Sequence, residues 1–259
     1  MILLDPDAKP VIAHRGNRAH APENTIEAFR QAVAAGADAI EFDVRVTRDG
    51  EVVVIHDPTL DRTTDSAGLV DMQTIERLKE LDAGARFSTD GGWGRPYAGR
   101  GIRIPTLDDL LDAMPSDLPL LMEVKTPDAS EPVRRIIDRR GIAKRVLIAG
   151  FNRRAIHPLR SAGLHLGATM SEAAELLMPA MLGKQVAAAL EYDVLCIPPR
   201  WKGVPVPVLA MARALRGTGK VVHVWTINDP ADAQRLWRGG VQGIVTDDPA
   251  LMLAARTGV

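Results

Sequence analysis

The sequence predicts an α/β chain of the (β/α)8 TIM barrel class, and three observations carry that prediction. Short apolar, β-branched runs alternate with longer Ala-, Leu- and Arg-rich helical patterns from end to end. The apolar runs are continuous rather than alternating, as expected of strands buried on both faces of a parallel sheet. Eight such runs fit within 259 residues, close to the length of about 250 typical of that barrel. An open, doubly wound sheet competes with this reading, but no G-x-G-x-x-G follows the first strand.

In chain order, the strand-like runs are Val11 to Ala13, Ala39 to Val46, Leu118 to Val124 and Val146 to Gly150, then Leu164 to Thr169, Val194 to Ile197, Val221 to Ile227 and Gly243 to Thr246. Helical patterns between them begin near Thr25, Thr106, Ser130, Arg153, Ser171 or Gly183, Pro207 and Pro230. At the first of these, Asn24 is the expected cap, with Glu27 completing the box. One stretch breaks the alternation. Asp57 to Ile104 holds a short helical pattern, Met72 to Glu80, and then a Gly-rich segment, Gly84 to Gly101, with Phe87, Trp93 and Tyr97 among its glycines. An insertion before the third barrel strand is expected over the C-terminal mouth, where it would face substrate as a lid. No Pro- or Ser-rich linker divides the chain, so residues 1–259 read as one domain with an insertion at about 57–104.

Composition excludes several classes of function. Lys plus Arg total 32 and Asp plus Glu 33, a formal net charge of −1, without the basic excess of a general nucleic-acid binder. Basic clusters at Arg134-Arg135, Arg139-Arg140 and Arg153-Arg154 read as solvated surface charge. A single cysteine rules out an internal disulfide framework and a Cys-rich zinc site. That residue, Cys196, lies in an apolar run and reads as a small core residue. No apolar run approaches the roughly 18 residues of a membrane span, and Met1 to Asp7 lacks the basic start of a secretory signal. The expected location is cytoplasmic.

The chemistry is concentrated at strand positions. His14-Arg15-Gly16 ends the first strand, and Glu41-Phe42-Asp43 in the second puts two carboxylates on one face. Asp49-Gly50 between two strand-like runs predicts a two-residue hairpin turn, which would pair Arg48 with Glu51 and set His56 opposite Asp43. Glu123 and Lys125 repeat the same-face spacing on the third barrel strand; on its own that pair could be a strand-end ion pair. Carboxylates at Glu41, Asp43 and Glu123 would together form a hard oxygen site for Ca²⁺ or Mg²⁺, with Mn²⁺ also admissible. The cations Arg15 and Lys125 suit an anionic substrate group such as phosphate.

These residues stand within a longer pattern. His14-Arg15-Gly16, Pro22-Glu23-Asn24-Thr25, Gly36 to Val44 and Thr47-Arg48-Asp49-Gly50 resemble the glycerophosphodiester phosphodiesterase family. So do His56 to Thr64, Ile104-Pro105-Thr106-Leu107, Glu123-Val124-Lys125, Trp225-Thr226-Ile227-Asn228 and Gly243 to Pro249. The resemblance runs in order over nearly the whole chain and is most specific in its N-terminal third. It implies a TIM barrel that hydrolyses a small-molecule glycerophosphodiester to sn-glycerol 3-phosphate and an alcohol. It also implies Glu41, Asp43 and Glu123 as metal ligands, His14 and His56 as the acid–base pair, and Arg15 and Lys125 as phosphate binders. Trp225 would be a substrate-wall aromatic, unless it is simply a core tryptophan. The nearest alternative is a lipid phosphodiesterase on the same barrel, a lysophospholipase D or a sphingomyelinase D-like enzyme. That alternative needs an apolar approach to the mouth, which Phe87, Trp93 and Tyr97 support only thinly. A non-catalytic phosphodiester-binding barrel is disfavoured, because both histidines and all three carboxylates are kept.

Overall fold

Strands that are apolar on both faces need neighbours on both sides, and the computed structural model of the chain supplies them. It describes residues 1–160, 162–186 and 190–257. The barrel strands are β1 (Val11–His14), β2 (Ala39–Val46), β4 (Leu120–Val124), β5 (Val146–Ala149), β6 (His165–Leu166), β7 (Val194–Ile197), β10 (Val221–Val224) and β11 (Gly243–Thr246). They lie side by side in the order β6-β5-β4-β2-β1-β11-β10-β7, and every neighbouring pair is parallel. Between the two ends of that order, β6 and β7, the described residues form one parallel bridge, Gly167 to Val194, so the barrel is nearly closed. β3 (Val52–Val54) is an extra strand, antiparallel to β2, and β8 (Arg200–Trp201) forms a small hairpin with β9 (Val204–Pro205).

The crossover helices start where the sequence places its caps. α1 (Ile26–Ala34) is capped by Thr25, whose hydroxyl accepts the Ala28 N–H, and α3 (Leu107–Ala113) opens on a Thr106–Asp109 capping box. α2 (Ile75–Glu80) is the short helix of the insertion. α4 (Ser130–Arg140), α5 (Arg153–Arg160), α6 (Met170–Met181), α7 (Val208–Ala214) and α8 (Pro230–Arg238) follow their strands, with a Thr169–Glu172 capping box at α6. A last helix, α9 (Pro249–Arg256), capped by Asp248, goes beyond the predicted set. The basic clusters on α4 are matched by acids: Arg134 and Arg135 meet Glu131, and Arg139 and Arg140 meet Asp108. Among the described residues, no helix is long and apolar enough to cross a membrane.

Strand alternation sorts the chain into layers, and this positions the site. Outward residues such as Phe42, Met122 and Ile148 pack under the helices. Inward residues Ile12, Ala39, Leu121, Leu147, Val194 and Val221 fill the barrel floor, closed below by Leu3 of a 3₁₀ turn at Ile2–Leu4. Two residues further along their strands, the next inward layer is His14, Glu41, Glu123, Ala149 and Cys196, while His223 of β10 stays at the level of the floor, bonded to Leu3 O. The chemistry therefore sits one layer above an apolar plug, at the C-terminal ends of the strands, as a barrel of this kind requires.

Candidate active site

The turn after β1 determines what the mouth contains. Arg15 and Gly16 both have positive φ, and a Cβ at Gly16 would lie 2.6 Å from the Ala28 backbone, so only glycine lets the chain pass this close to α1. The tight turn aims the Arg15 backbone N–H at Glu41 Oε2, 3.0 Å away. The Arg15 guanidinium reaches Asp43 at 3.2 Å and Glu23 at 2.7 Å. Directly after β4, Lys125 lies 2.7 Å from both Asp43 and Glu123. Parallel pairing puts Asp43 beside Glu123 and Glu41 beside His14, so adjacent strands bring the three carboxylates together.

Burial and mutual repulsion dominate the electrostatics. Glu41 is pushed well above the usual carboxylate range, first by burial and then by the charge of Asp43. Glu123 is raised by burial, against the pull of Lys125. Burial alone would raise Asp43 too, but Lys125 and then Arg15 hold it below its ordinary value. Oxygens of Glu41, Asp43 and Glu123 lie within 4.8 Å of one another and could hold one metal ion. An all-oxygen donor set containing a carboxyl that resists ionisation fits a hard divalent cation, which would relieve that repulsion.

Both histidines face this cluster, and each is held by a carboxylate. His14 Nδ1 lies 2.6 Å from Asp247 Oδ1, at the end of β11, and Asn228 Nδ2 donates to the other Asp247 oxygen at 2.9 Å. His56 Nδ1 lies 2.6 Å from Asp57 Oδ1, and Arg62 Nε donates to Asp57 Oδ2 at 2.6 Å. Arg62 continues to Glu23 through two hydrogen bonds of 2.7 Å. Glu23 thereby gathers Arg15, Arg18 and Arg62; burial opposes its ionisation, yet Arg62 and then Arg15 hold it far below the usual range. Burial lowers both histidines, and Asp247 at His14 and Asp43 at His56 pull the other way.

His14, Arg15, Glu41, His56, Glu123, Lys125 and Trp225 all line one cavity of about 590 Å³, and Asp43 lies just beneath it, 1 % exposed. The eight residues expected at the site are therefore together. The route by which His56 arrives differs from the expected one. The pairs Val44–Val54 and Val46–Val52 put Ile55, not His56, opposite Asp43. Thr47 N donates to Glu51 O at 3.0 Å around a three-residue loop, Arg48-Asp49-Gly50, with Gly50 at φ 88°. A glycine in the left-handed region adds one residue to the turn and shifts the register by one. His56 reaches the acids because the chain leaves the sheet after Val54, its carbonyl taking a 2.8 Å hydrogen bond from Arg45 Nε.

Asn24 also differs. Thr25 caps α1, while Asn24, at φ 57°, donates to Asp43 Oδ2 at 2.9 Å; Glu27 accepts from Gln31 instead of completing a box. In the insertion, Asp57 and Arg62 reach the mouth, but no residue of 84–101 lines the cavity. Phe87 and Tyr97 stack edge to face at 5.3 Å, Tyr97 accepts from Gln31 of α1, and Trp93 is 94 % exposed. Asp247, Asp57, Glu23, Arg18 and Arg62 hold the site without having been expected there. Their signal was available: Asp57 adjoins His56, and Asp247 directly follows a barrel strand.

Comparisons with known proteins bear on the family and the fold. The sequence profile of the Glycerophosphoryl diester phosphodiesterase family matches residues 14–251. The chain belongs to that family. It is 34 % identical over 249 residues to a glycerophosphodiester phosphodiesterase of Caldanaerobacter subterraneus, covering 94 % of this chain and 96 % of that one. A Bacillus subtilis protein of the same name is 30 % identical over 270 residues, covering 99 % and 89 % of the two chains. Among solved structures, an Agrobacterium tumefaciens glycerophosphodiester phosphodiesterase superposes with a TM-score of 0.75 at 28 % identity, over 95 % of this chain and 99 % of that one. An Oleispira antarctica phosphodiesterase, solved with its product sn-glycerol-3-phosphate, shares the fold with a TM-score of 0.78 at 23 % identity, over 96 % and 97 % of the chains. Membership in the family makes this chain a phosphodiesterase.

Proposed function

We propose that the chain hydrolyses glycerophosphodiesters to sn-glycerol 3-phosphate and an alcohol, using His14 and His56 as its acid–base pair and a divalent ion held by Glu41, Asp43 and Glu123. One observation carries the reading: two carboxylate-anchored histidines and two cations line one cavity, over a cluster of three carboxylates. Each ring engages its Nδ1 with an aspartate, which leaves Nε2 to exchange a proton with substrate. Lowered by burial, both rings are neutral near pH 7, ready for one of them to accept a proton from the attacking oxygen. The other, once protonated, returns a proton to the departing alcohol.

Arg15 and Lys125 supply positive charge where the non-bridging phosphate oxygens gain negative charge. Both stay protonated, because Asp43 and its fellow carboxylates outweigh the effect of burial. Asn24 and Glu23 fix Asp43 and Arg15 so that neither has to reorient during the reaction. A bound Ca²⁺, Mg²⁺ or Mn²⁺ would supply Lewis-acid polarisation of phosphate and hydroxyl oxygens. The attacking oxygen belongs to water or to the glycerol 2-hydroxyl, and the second route releases a cyclic phosphate first.

The test is glycerophosphocholine, glycerophosphoethanolamine and a glycerophosphodiester of inositol, each assayed after chelation and again with Ca²⁺, Mg²⁺ and Mn²⁺. The expected result is metal-restored release of the alcohol, with product analysis identifying the attacking oxygen. Failure to turn over any of the three with any ion would overturn the reading.

A further inference from the structure

The cavity is charged at its catalytic end, with one exception elsewhere. Arg15, Glu41, Glu123 and Lys125 line that end, and both of its cations are matched: Arg15 meets Asp43 and Glu23, and Lys125 meets Asp43 and Glu123. Beyond them lies an apolar chamber walled mostly by small side chains such as Ala149, Ala168 and Cys196. The exception is Lys202, which lines the cavity from the tip of the β8–β9 hairpin. It is exposed, and among the described residues no carboxylate pairs with it.

The hairpin holds that lysine where its own turn chemistry does not favour one. Trp201 pairs with Val204, so Lys202 and Gly203 are the two loop residues, at φ 48° and 84°. Positive φ at both is the pattern of a type I′ turn, in which Asn or Asp ordinarily precedes Gly because other side chains are strained there. Departures of this kind from local preference gather at functional sites. The hairpin itself is well fixed. Val206 N donates to Pro199 O at 3.0 Å across its base, Arg200 Nη2 donates to Gly203 O at 2.8 Å, and Trp201 stacks at 5.6 Å on Phe151. A positive charge is thereby anchored beside the chamber, and apolar walls concentrate its field in the space they enclose.

We propose that the departing alcohol lies in this chamber and that Lys202 selects it by charge. The preferred substrate class is then a glycerophosphodiester whose alcohol carries a second anionic group, a carboxylate or a phosphate monoester. This rests on the phosphodiesterase reading of the catalytic end. With the phosphodiester at Arg15 and Lys125, glycerol is common to the whole class, and the alcohol is what differs from one substrate to the next. An anion on that alcohol meets in Lys202 a cation that no carboxylate of the described residues neutralises, whereas an ammonium group is repelled.

The test is a set of glycerophosphodiesters that differ only at the far end of the alcohol: 3-aminopropanol, 1,3-propanediol, 3-hydroxypropanoate and propanediol monophosphate. Values of kcat/KM are measured for the unaltered protein, Lys202→Asn and Lys202→Asp. Both replacements suit the first position of the turn, so both variants keep the hairpin. The ratio of anionic to ammonium substrates should fall by about fivefold in Lys202→Asn and by about tenfold or more in Lys202→Asp, mainly through KM. High salt should compress the same ratio in the unaltered protein. Comparing one ratio across proteins cancels differences in leaving-group reactivity, and the carboxylate and phosphate arms show which anion is preferred. A ratio that stays the same in both variants overturns the proposal. So does a preference of the unaltered protein for the ammonium substrate, which would assign selection to the faces of Trp201 and Trp225 through cation–π attraction. Inactivity of the unaltered protein on every member of the set is a different failure, that of the catalytic end, and the proposal falls with it.

Discussion

On β1, β2 and β4 the inward positions nearest the mouth carry His14, Glu41, Asp43 and Glu123, with Lys125 directly after; on β5 and β7 they carry Ala149 and Cys196. The same fold position is charged and tightly paired in one half and small and apolar in the other. The first half is expensive to build: buried charges must be matched, and removing one partner of a buried pair costs about 3–5 kcal/mol. The second half is made by omission, since short side chains leave space that the helices do not fill. Under the proposed mechanism, bond breaking falls to residues of β1 to β4 and the turns after them, while β5 to β10 offer walls for the rest of the substrate. Substitutions in the first half should act on kcat and those in the second on KM.

The largest expected effect tests the charged half. His14→Ala and His56→Ala should each lower kcat by about 10²-fold or more with KM little changed. Near-wild-type turnover by either variant would remove that ring from the mechanism and blur the division. The next effect down sharpens it. Asp247→Asn and Asp57→Asn leave the histidines in place but remove the carboxylates that orient them, and should cost about 10- to 100-fold. Because each aspartate favours the protonated ring, the basic limb of the pH–rate profile should also move to lower pH. A profile that keeps its shape while the rate falls would mark those aspartates as structural only.

The smallest effect concerns a histidine that belongs to neither half's chemistry. His223 is fully buried, bonds Leu3 O through Nε2 at 3.0 Å, and is lowered to about 4 by burial. Gly243 makes room for it, since a Cβ there would come within 2.3 Å of its Nδ1. Unfolded, the ring takes up a proton below about 6.5; folded, it stays neutral until about 4. Its stabilising contribution is therefore full above the unfolded value and is lost as pH falls through this window, on the order of 3 kcal/mol. His223→Leu should flatten the dependence of Tm on pH between those limits and leave kcat on glycerophosphocholine alone. Parallel Tm curves for the two proteins would refute this.

Much of this was legible in the sequence because parallel strands impose strict rules. Glu41 and Asp43 lie two apart on a strand, and so share a face in any barrel built from it. Register was harder to read. Asp49-Gly50 is compatible with a two-residue or a three-residue turn, and Asp49, which a two-residue type I′ turn would hold at positive φ and which is not so held, distinguishes them, so the expected partner of Asp43 was off by one. The orienting carboxylate of His14 was hidden for another reason: Asp247 is 233 residues away and meets it only through barrel closure. The apolar chamber was the least visible feature, because nothing in a run of alanines and leucines says which of them face empty space.

That distance between His14 and Asp247 has a consequence in time as well as in space. During synthesis, β1, β2 and β4 emerge early, so the segments that carry the carboxylates and their cations are made while β5 to β11 are still to come. His14 acquires its aspartate only when β11, the last strand made, docks against β1, the first. Without that last docking, His14 would lack the carboxylate that holds its Nδ1, and under the proposed mechanism the completed ring is what makes full turnover available.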